Sequence, residues 1–404
     1  MVALTAAITA TDGLARRIVH FVSEPYDHDF RLNYVAARIG LTYGWSHIYD
    51  RDLLRRVMAT LTPYADGRID SQHQYVTPPP MAWLHVPLTA LPMPAGFVVW
   101  VVLITALLVL AWRLVRPREG FAGLTLLLIA FALWPMYYAF LIGQTVTLTI
   151  ACLAISWTCL TRDRWVLAGV ALAMALYVKP QLIALLPVTL LVSGRWRPVL
   201  SCALTGGAVG IICLISLGSH GIAAFAANLA YGASNVFNGI VTYAWFGPGV
   251  VASSIEFACG LAAILLAWHR RARLDLVFAL GIVGSTASAF YLHEYDVAVF
   301  VLPAWILLRS RLSVPMQAWL ALGIACEQLI AIGVIKPILI WEAAWIGLLG
   351  LEPWLVERVP NLAFLRRPQP KLARSNPREI GGPATSAAKR ATEPLAEISR
   401  GPVI

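Results

Sequence analysis

"PAGFVVWVVLITALLVLAWRLVRPR", residues 94–118, runs for 22 residues with one charge, Arg113, and then supplies Arg116 and Arg118. As a helix, 22 residues span about 33 Å, enough to cross a hydrocarbon core of about 30 Å. Arginines immediately after such a run belong on the cytoplasmic side, where short loops are enriched in Lys and Arg. The same pattern recurs along the 404 residues, which are 59% hydrophobic and 13% charged. Soluble domains carry about a quarter charged residues. Lipid forces backbone polar groups to bond within their own segment, and nothing shows the period-two alternation of a barrel. The chain therefore reads as an all-α, polytopic integral membrane protein.

Apolar runs place spans at 94–115, 121–142, 144–160, 198–217, 247–268, 274–292, 297–309, 314–335 and 337–351. Two shorter pieces, 165–178 and 181–193, flank Lys179-Pro180 and read as a short helical hairpin, giving about 11 passes. Twelve arginines follow alternate spans: Arg113, Arg116, Arg118, Arg162, Arg164, Arg195, Arg197, Arg270, Arg271, Arg273, Arg309 and Arg311. All fall on one side, with a tail (355–404) carrying nine basic and four acidic residues. The tail is expected to be cytoplasmic and disordered from about residue 359, with anionic headgroups as its natural neighbours. Residues 1–93, with eight basic and eight acidic residues, fall on the other face as a large first extracytoplasmic loop. The multi-helix domain is 94–354. "MVALTAAITA" lacks the basic start and cleavage site of a signal peptide. Residues 1–22 are thus expected either to form a short, strained span or to follow a first helix missing from this sequence.

The net charge of +10 describes topology. No basic patch is interleaved with aromatics, so a nucleic acid partner is not expected. The six cysteines all lie in apolar runs and read as packing residues. The eight histidines show no metal-binding spacing such as HExxH, so the sequence argues for no metal and no cofactor.

Polar residues concentrate on the extracytoplasmic side. In "EPYDHDFRLNYVAAR" (24–38), Asp27 or Asp29 can cap the helix that follows. Asp29 can equally act as a general base toward a hydroxyl. "FYLHEYD" (290–296) places His293, Glu294 and Asp296 at a membrane boundary; Tyr291 and Tyr295 read as interfacial belt residues. His293 beside two carboxylates suits proton transfer or donation to a phosphate. Lys179 lies between helical pieces of about 21 Å each, below the headgroups, where a cation needs an anionic partner such as a lipid phosphate, unless it snorkels outward. Lys336 reads as snorkelling, and Glu256, Glu327 and Glu342 as either helix-pairing or functional acids within the spans.

Taken in order, several segments resemble glycosyltransferase family 87, polyprenyl-phosphate-mannose-dependent enzymes of the C-type (GT-C) superfamily. They are "DFRLNYVAARIGLTYGWSHIYD" (29–50), "YVTPPPMAWLHVPLTALPMP" (75–94), "IGQTVTLTI" (142–150), "LYVKPQLIALLP" (176–187) and the "LHEYD" turn (292–296). The resemblance implies a GT-C-like fold and transfer of a hexose, mannose foremost, from a polyprenyl-phosphate-sugar to a glycolipid or glycan acceptor outside the cell membrane. It places Asp29 at the catalytic acid position and His293 near the donor. Lys179 and His293 would then face the donor phosphate. Asp27, Tyr34, Gln144 and Asp296 would shape the site or meet the acceptor, as would the loop "YADGRIDSQHQY" (64–75). A lipid or sugar transporter or flippase is the alternative, although it has little use for a 93-residue polar opening segment.

Overall fold

The computed structural model describes residues 2–23, 28–61, 75–234, 240–247 and 249–358. Among them every regular element is a helix. The apolar runs predicted as spans all appear, but many are shorter or broken. Five helices are long and apolar enough to cross a membrane: α5 (Met93–Val115), the first part of α11 (Trp196–Ser234), α12 (Val250–His269), α15 (Val314–Leu329, extended to Ile332 by a 3₁₀ turn) and α16 (Lys336–Arg358). A sixth arises if α6 (Gly120–Ala132) and α7 (Trp134–Leu141), bent by 61°, form one span. At the bend Leu133 has ψ 134°, and Pro135, two residues on, has no N–H with which to continue the ladder of α6. The protein is a multi-pass membrane protein.

The remaining expected passes are α8 (Val146–Leu160), α9 (Trp165–Val178), α10 (Leu186–Val192), α13 (Leu274–Ala287) and α14 (Val301–Leu307), each under about 23 Å. They differ from full spans because the chain leaves them in non-helical stretches. Lys179 (φ −150°, ψ 84°) ends α9 just before Pro180. The run expected to continue to 292 leaves the helix after Ala287, and a 3₁₀ turn at Glu294–Phe300 precedes α14. These interruptions come together at one end of the bundle.

The core is centred on α13, which is buried along its whole length from Leu276 to Ala287 and packs against α10, α12, α14 and α16. The arginine-bearing loops meet one another at one end. Arg118 donates to the Ser310 carbonyl, Arg195 to that of Arg271, and Arg270 to that of Gly350. Near the same end the Ser313 N–H and hydroxyl donate to the Glu352 carboxylate at 2.7 and 2.5 Å, anchoring the start of α15 to α16.

Before α5 come α1 (Val2–Ser23), α2 (His28–Tyr43), α3 (Arg51–Leu61) and α4 (Pro79–His85). Residues 2–23, the region read as a short span or a sign of a missing one, form a helix packed on α6 and α7. Helix α2 buries two faces. Phe30 and Tyr34, four apart, enter the main core, whereas Leu32, Val35, Ala36 and Ile39 build a second small core with Ile48, Tyr49, Leu54, Met58 and Tyr75. The boundary expected at 354/355 falls inside α16, which continues to Arg358. The tail expectation lies outside the described residues, as do Asp27 and the loop 64–75 apart from Tyr75.

Candidate active site at one end of the bundle

Asp29 lies in the first turn of α2. It is therefore not the residue before the helix, but its charge sits beside the exposed backbone N–H groups and positive dipole end. Its Oδ2 accepts a hydrogen bond of 2.6 Å from Nε2 of Gln144. The orientation of the Gln144 amide is set by its Oε1, which accepts the N–H of Thr145 at 3.1 Å, so the NH₂ group faces Asp29. Two further contacts clamp the partners. The Phe30 N–H donates to the Ile142 carbonyl at 3.4 Å, and Trp100 Nε1 donates to the Gly143 carbonyl at 2.8 Å. Gly143 has φ +66°, and a Cβ there would lie 2.8 Å from the Cβ of Phe30. Only glycine permits this turn at this distance. Asn33 adds a tie within α2, donating to the Asp29 carbonyl at 3.0 Å and accepting from the Tyr75 hydroxyl at 3.3 Å.

The second half of the site is a buried ion pair. Lys179 Nζ lies 2.5 Å from Oδ1 of Asp296, with side chains 8% and 0% exposed. The other carboxylate oxygen of Asp296 accepts the backbone N–H of His293 at 3.1 Å. The sequence left Lys179 either snorkelling or pairing with a lipid phosphate. In the fold the partner is a protein carboxylate 117 residues away. The ammonium also sits 4.5 Å from the centre of the Tyr295 ring. Tyr295 is thus buried beneath a cation, not part of an interfacial belt. The Tyr291 hydroxyl lies 3.3 Å from Nε2 of His293.

These halves act on one another. Burial, the strongest influence, pushes the His293 imidazole below its ordinary pKa, against the pull of Asp296 and Asp29, while Lys179 reinforces the lowering. Asp29 is also close enough to raise the Tyr291 and Tyr295 hydroxyls electrostatically, although burial dominates at both. A carboxylate, a neutral imidazole and a paired ammonium therefore share one end of the bundle.

Of the residues expected at the site, Asp29, Gln144, Lys179, His293 and Asp296 come together. Tyr34 plays a different part. Its hydroxyl donates to the Leu91 carbonyl at 2.7 Å, its ring packs on Phe30, and it lines a cavity of about 610 Å³ with Arg38, Thr60 and Thr89. Sequence reasoning passed over Asn33, read Tyr291 as an interfacial belt residue, and counted Tyr75 only as the end of a loop that meets the acceptor. Asn33 sits one helical turn after Asp29, the spacing that could have singled it out.

The sequence model for glycosyltransferase family 87 matches residues 75–290, just over half of the chain. The chain belongs to glycosyltransferase family 87. No curated protein and no solved structure matches it. The matched segment of this family 87 protein contains Gln144 and Lys179 and stops short of Asp29 on one side and His293 and Asp296 on the other. The site is thus assembled from residues inside and outside that segment, and family membership makes the chain a membrane glycosyltransferase.

Proposed function

We propose that this transferase inverts configuration while moving a hexose, mannose foremost, from a polyprenyl-phosphate donor to a hydroxyl of a glycolipid or glycan acceptor. The observation that carries the reading is the 2.6 Å bond by which Gln144, inside the family segment, holds the carboxylate of Asp29. The Gln144 donor fixes one oxygen of the carboxylate, so that Asp29 is held in place to take a proton from an acceptor hydroxyl.

In this reading Asp29 removes the proton of the acceptor hydroxyl as its oxygen attacks the anomeric carbon from the face opposite the phosphate. The carbon–oxygen bond to the phosphate breaks, and its electron pair leaves on the polyprenyl phosphate. Negative charge grows there, and Lys179 and His293 are placed to meet it. The ammonium carries three N–H donors, so its bond to Asp296 leaves others for a phosphate oxygen. Neutral His293 donates without adding a second positive charge. The pair with Asp296 holds Lys179 in position before a donor arrives.

The reading places the site on the extracytoplasmic face of the cell membrane and the tail in the cytoplasm. Its support is the positive-inside rule, since the twelve span-flanking arginines mark the opposite side.

The test is transfer of labelled mannose from polyprenyl-phosphate-mannose in membranes that contain the full chain and an extract of its native cell. Wild type should label a product. Asp29→Asn, which keeps the size of the side chain and can still accept from Gln144, should not. Equal labelling by both would remove Asp29 from the mechanism. Labelling by neither, with inserted protein, would reject the donor named here.

A further inference from the structure

The segment after α2 contains a 3₁₀ turn, Trp45–His47, that leads into α3. The Asp50 N–H donates to the His47 carbonyl at 3.0 Å, so this turn brings the two side chains together. The third member comes from far along the chain. Helix α11 is interrupted at Gly218 (φ 58°, ψ −173°), a conformation open to glycine and strained for other residues. From Trp196 to that break the helix spans about 33 Å, a full membrane crossing. The chain then turns and runs over the α2–α3 segment. His220 stands at the start of this second half. A Cβ added to Gly221 would meet the Ser46 carbonyl oxygen at 3.0 Å, which shows how closely the two segments approach.

We propose that His47, Asp50 and His220 bind a divalent transition-metal ion, zinc by ligand preference, which fastens the outer half of α11 to the segment between α2 and α3.

The ligand atoms of the three residues all lie within 4.8 Å of one another. Zinc bonds of about 2.0–2.2 Å in a tetrahedron require ligand separations of about 3.3–3.6 Å. Small rotations of the side chains close that difference, and His220 is exposed and free to make them. The rings of His47 and His220 are 5.0 Å apart and tilted by 52°, not stacked. Among the described residues neither imidazole makes a hydrogen bond. Asp50 is already oriented. Its Oδ1 caps α3 by accepting the N–H groups of Asp52 and Leu53 at 3.2 and 3.3 Å, which leaves Oδ2 for an ion. A ligating carboxylate held in this way by backbone donors is the usual outer-shell arrangement of a metal site.

Two imidazoles and one carboxylate suit zinc and related ions more than calcium or magnesium, which take oxygen ligands. The surroundings supply the rigidity. Asn228, two turns beyond His220, accepts from Arg51 at 2.8 Å and donates to the carbonyls of Tyr49 and Tyr75 at 3.0 and 3.2 Å. The neighbouring cation, Arg51, is thereby engaged with Asn228 and the Tyr231 ring. The expectation of no metal rested on spacing along the chain. His47 and His220 are 173 residues apart, and a motif search cannot join them.

The test is zinc binding to the untagged full-length chain in detergent, after chelator treatment, by equilibrium dialysis and elemental analysis. Wild type should retain one zinc per chain and unfold at a higher temperature with zinc than without. His220→Ala and Asp50→Ser should each weaken binding at least about tenfold. Serine preserves the helix cap, so that variant separates loss of a ligand from loss of the cap. His269→Ala, at the end of α12, should bind as wild type does. Unfolding of each variant in chelator checks that the fold is retained. No zinc on wild type, or equal zinc on wild type and His220→Ala, would overturn the proposal. The readout is metal content, so it stands or falls apart from the sugar-transfer reading.

Discussion

The Lys179–Asp296 pair offers a direct physical test of the site. Both side chains are almost wholly removed from solvent, and the carboxylate has two partners, the ammonium at 2.5 Å and the His293 N–H at 3.1 Å. Lys179→Met removes the charge at nearly constant length and strands a buried carboxylate. Asp296→Asn strands the ammonium, with the Tyr295 ring as its remaining favourable contact. Removing one partner of a buried pair costs about 3–5 kcal/mol, largely because the other charge is left uncompensated. Each single variant should therefore lower the thermal unfolding temperature of the detergent-solubilised chain by several degrees. The double variant leaves no stranded charge and should regain most of the loss. The coupling in this cycle should reach at least about 2 kcal/mol. Purely additive losses would refute the inference that the two charges compensate each other. A second arm tests the proposed donor site. In Asp296→Asn the freed ammonium should pair with a lipid phosphate, so polyprenyl-phosphate-sugar should stabilise that variant more than wild type. Equal stabilisation would place the phosphate elsewhere.

Asp29→Asn should lower transfer by about 10²–10⁴-fold with unchanged unfolding temperature, measured in the labelled-mannose assay. Gln144→Leu removes the donor that orients Asp29 and should reduce transfer by about tenfold or more with little change in folding, read by comparing kcat with thermal unfolding. Gly143→Ala should destabilise by about 1–3 kcal/mol, because it combines a left-handed backbone with a Cβ 2.8 Å from Phe30; unfolding of the purified variant checks this. His85 is fully buried, donates Nδ1–H to the Met81 carbonyl at 2.7 Å, and is held by burial at about 4, against an ordinary 6.5. The unfolded chain therefore takes up a proton that the folded chain refuses. Stability present above pH 6.5 should fall by about 3 kcal/mol as the pH drops towards 4, and His85→Phe should flatten that slope.

Some of this site was visible in one dimension. Asp29 and His293 stood out as charged or titratable groups next to apolar runs, and Lys179 as a cation preceding proline between two runs too short to span. Such signals survive without a structure because moving charge into lipid costs so much that each such residue needs a reason. The resemblance also put Gln144 and Asp296 at the site, but the pairings were not visible. Gln144 is 115 residues from Asp29, and Asp296 is 117 from Lys179, and no local pattern joins either to its partner. Tyr295 was misread for the same reason: an aromatic near a membrane boundary has the same local sequence whether it faces headgroups or lies under an ammonium.

Hydropathy and arginine spacing, on their own, determined that this is a helical membrane protein and where its apolar runs lie, since burial in lipid constrains every residue of a run at once. Segment order carried the family resemblance. Tertiary structure alone decided how those runs break and what meets at the breaks. It bent the second run by 61°, ended α9 at Lys179, and left the 288–293 stretch out of the helix. Those breaks bring Asp29, Gln144, Lys179, His293 and Asp296 to one end of the bundle, and the Gly218 turn carries His220 to His47 and Asp50. Contacts between residues more than a hundred positions apart depend on packing of the whole chain, which no short stretch of sequence encodes.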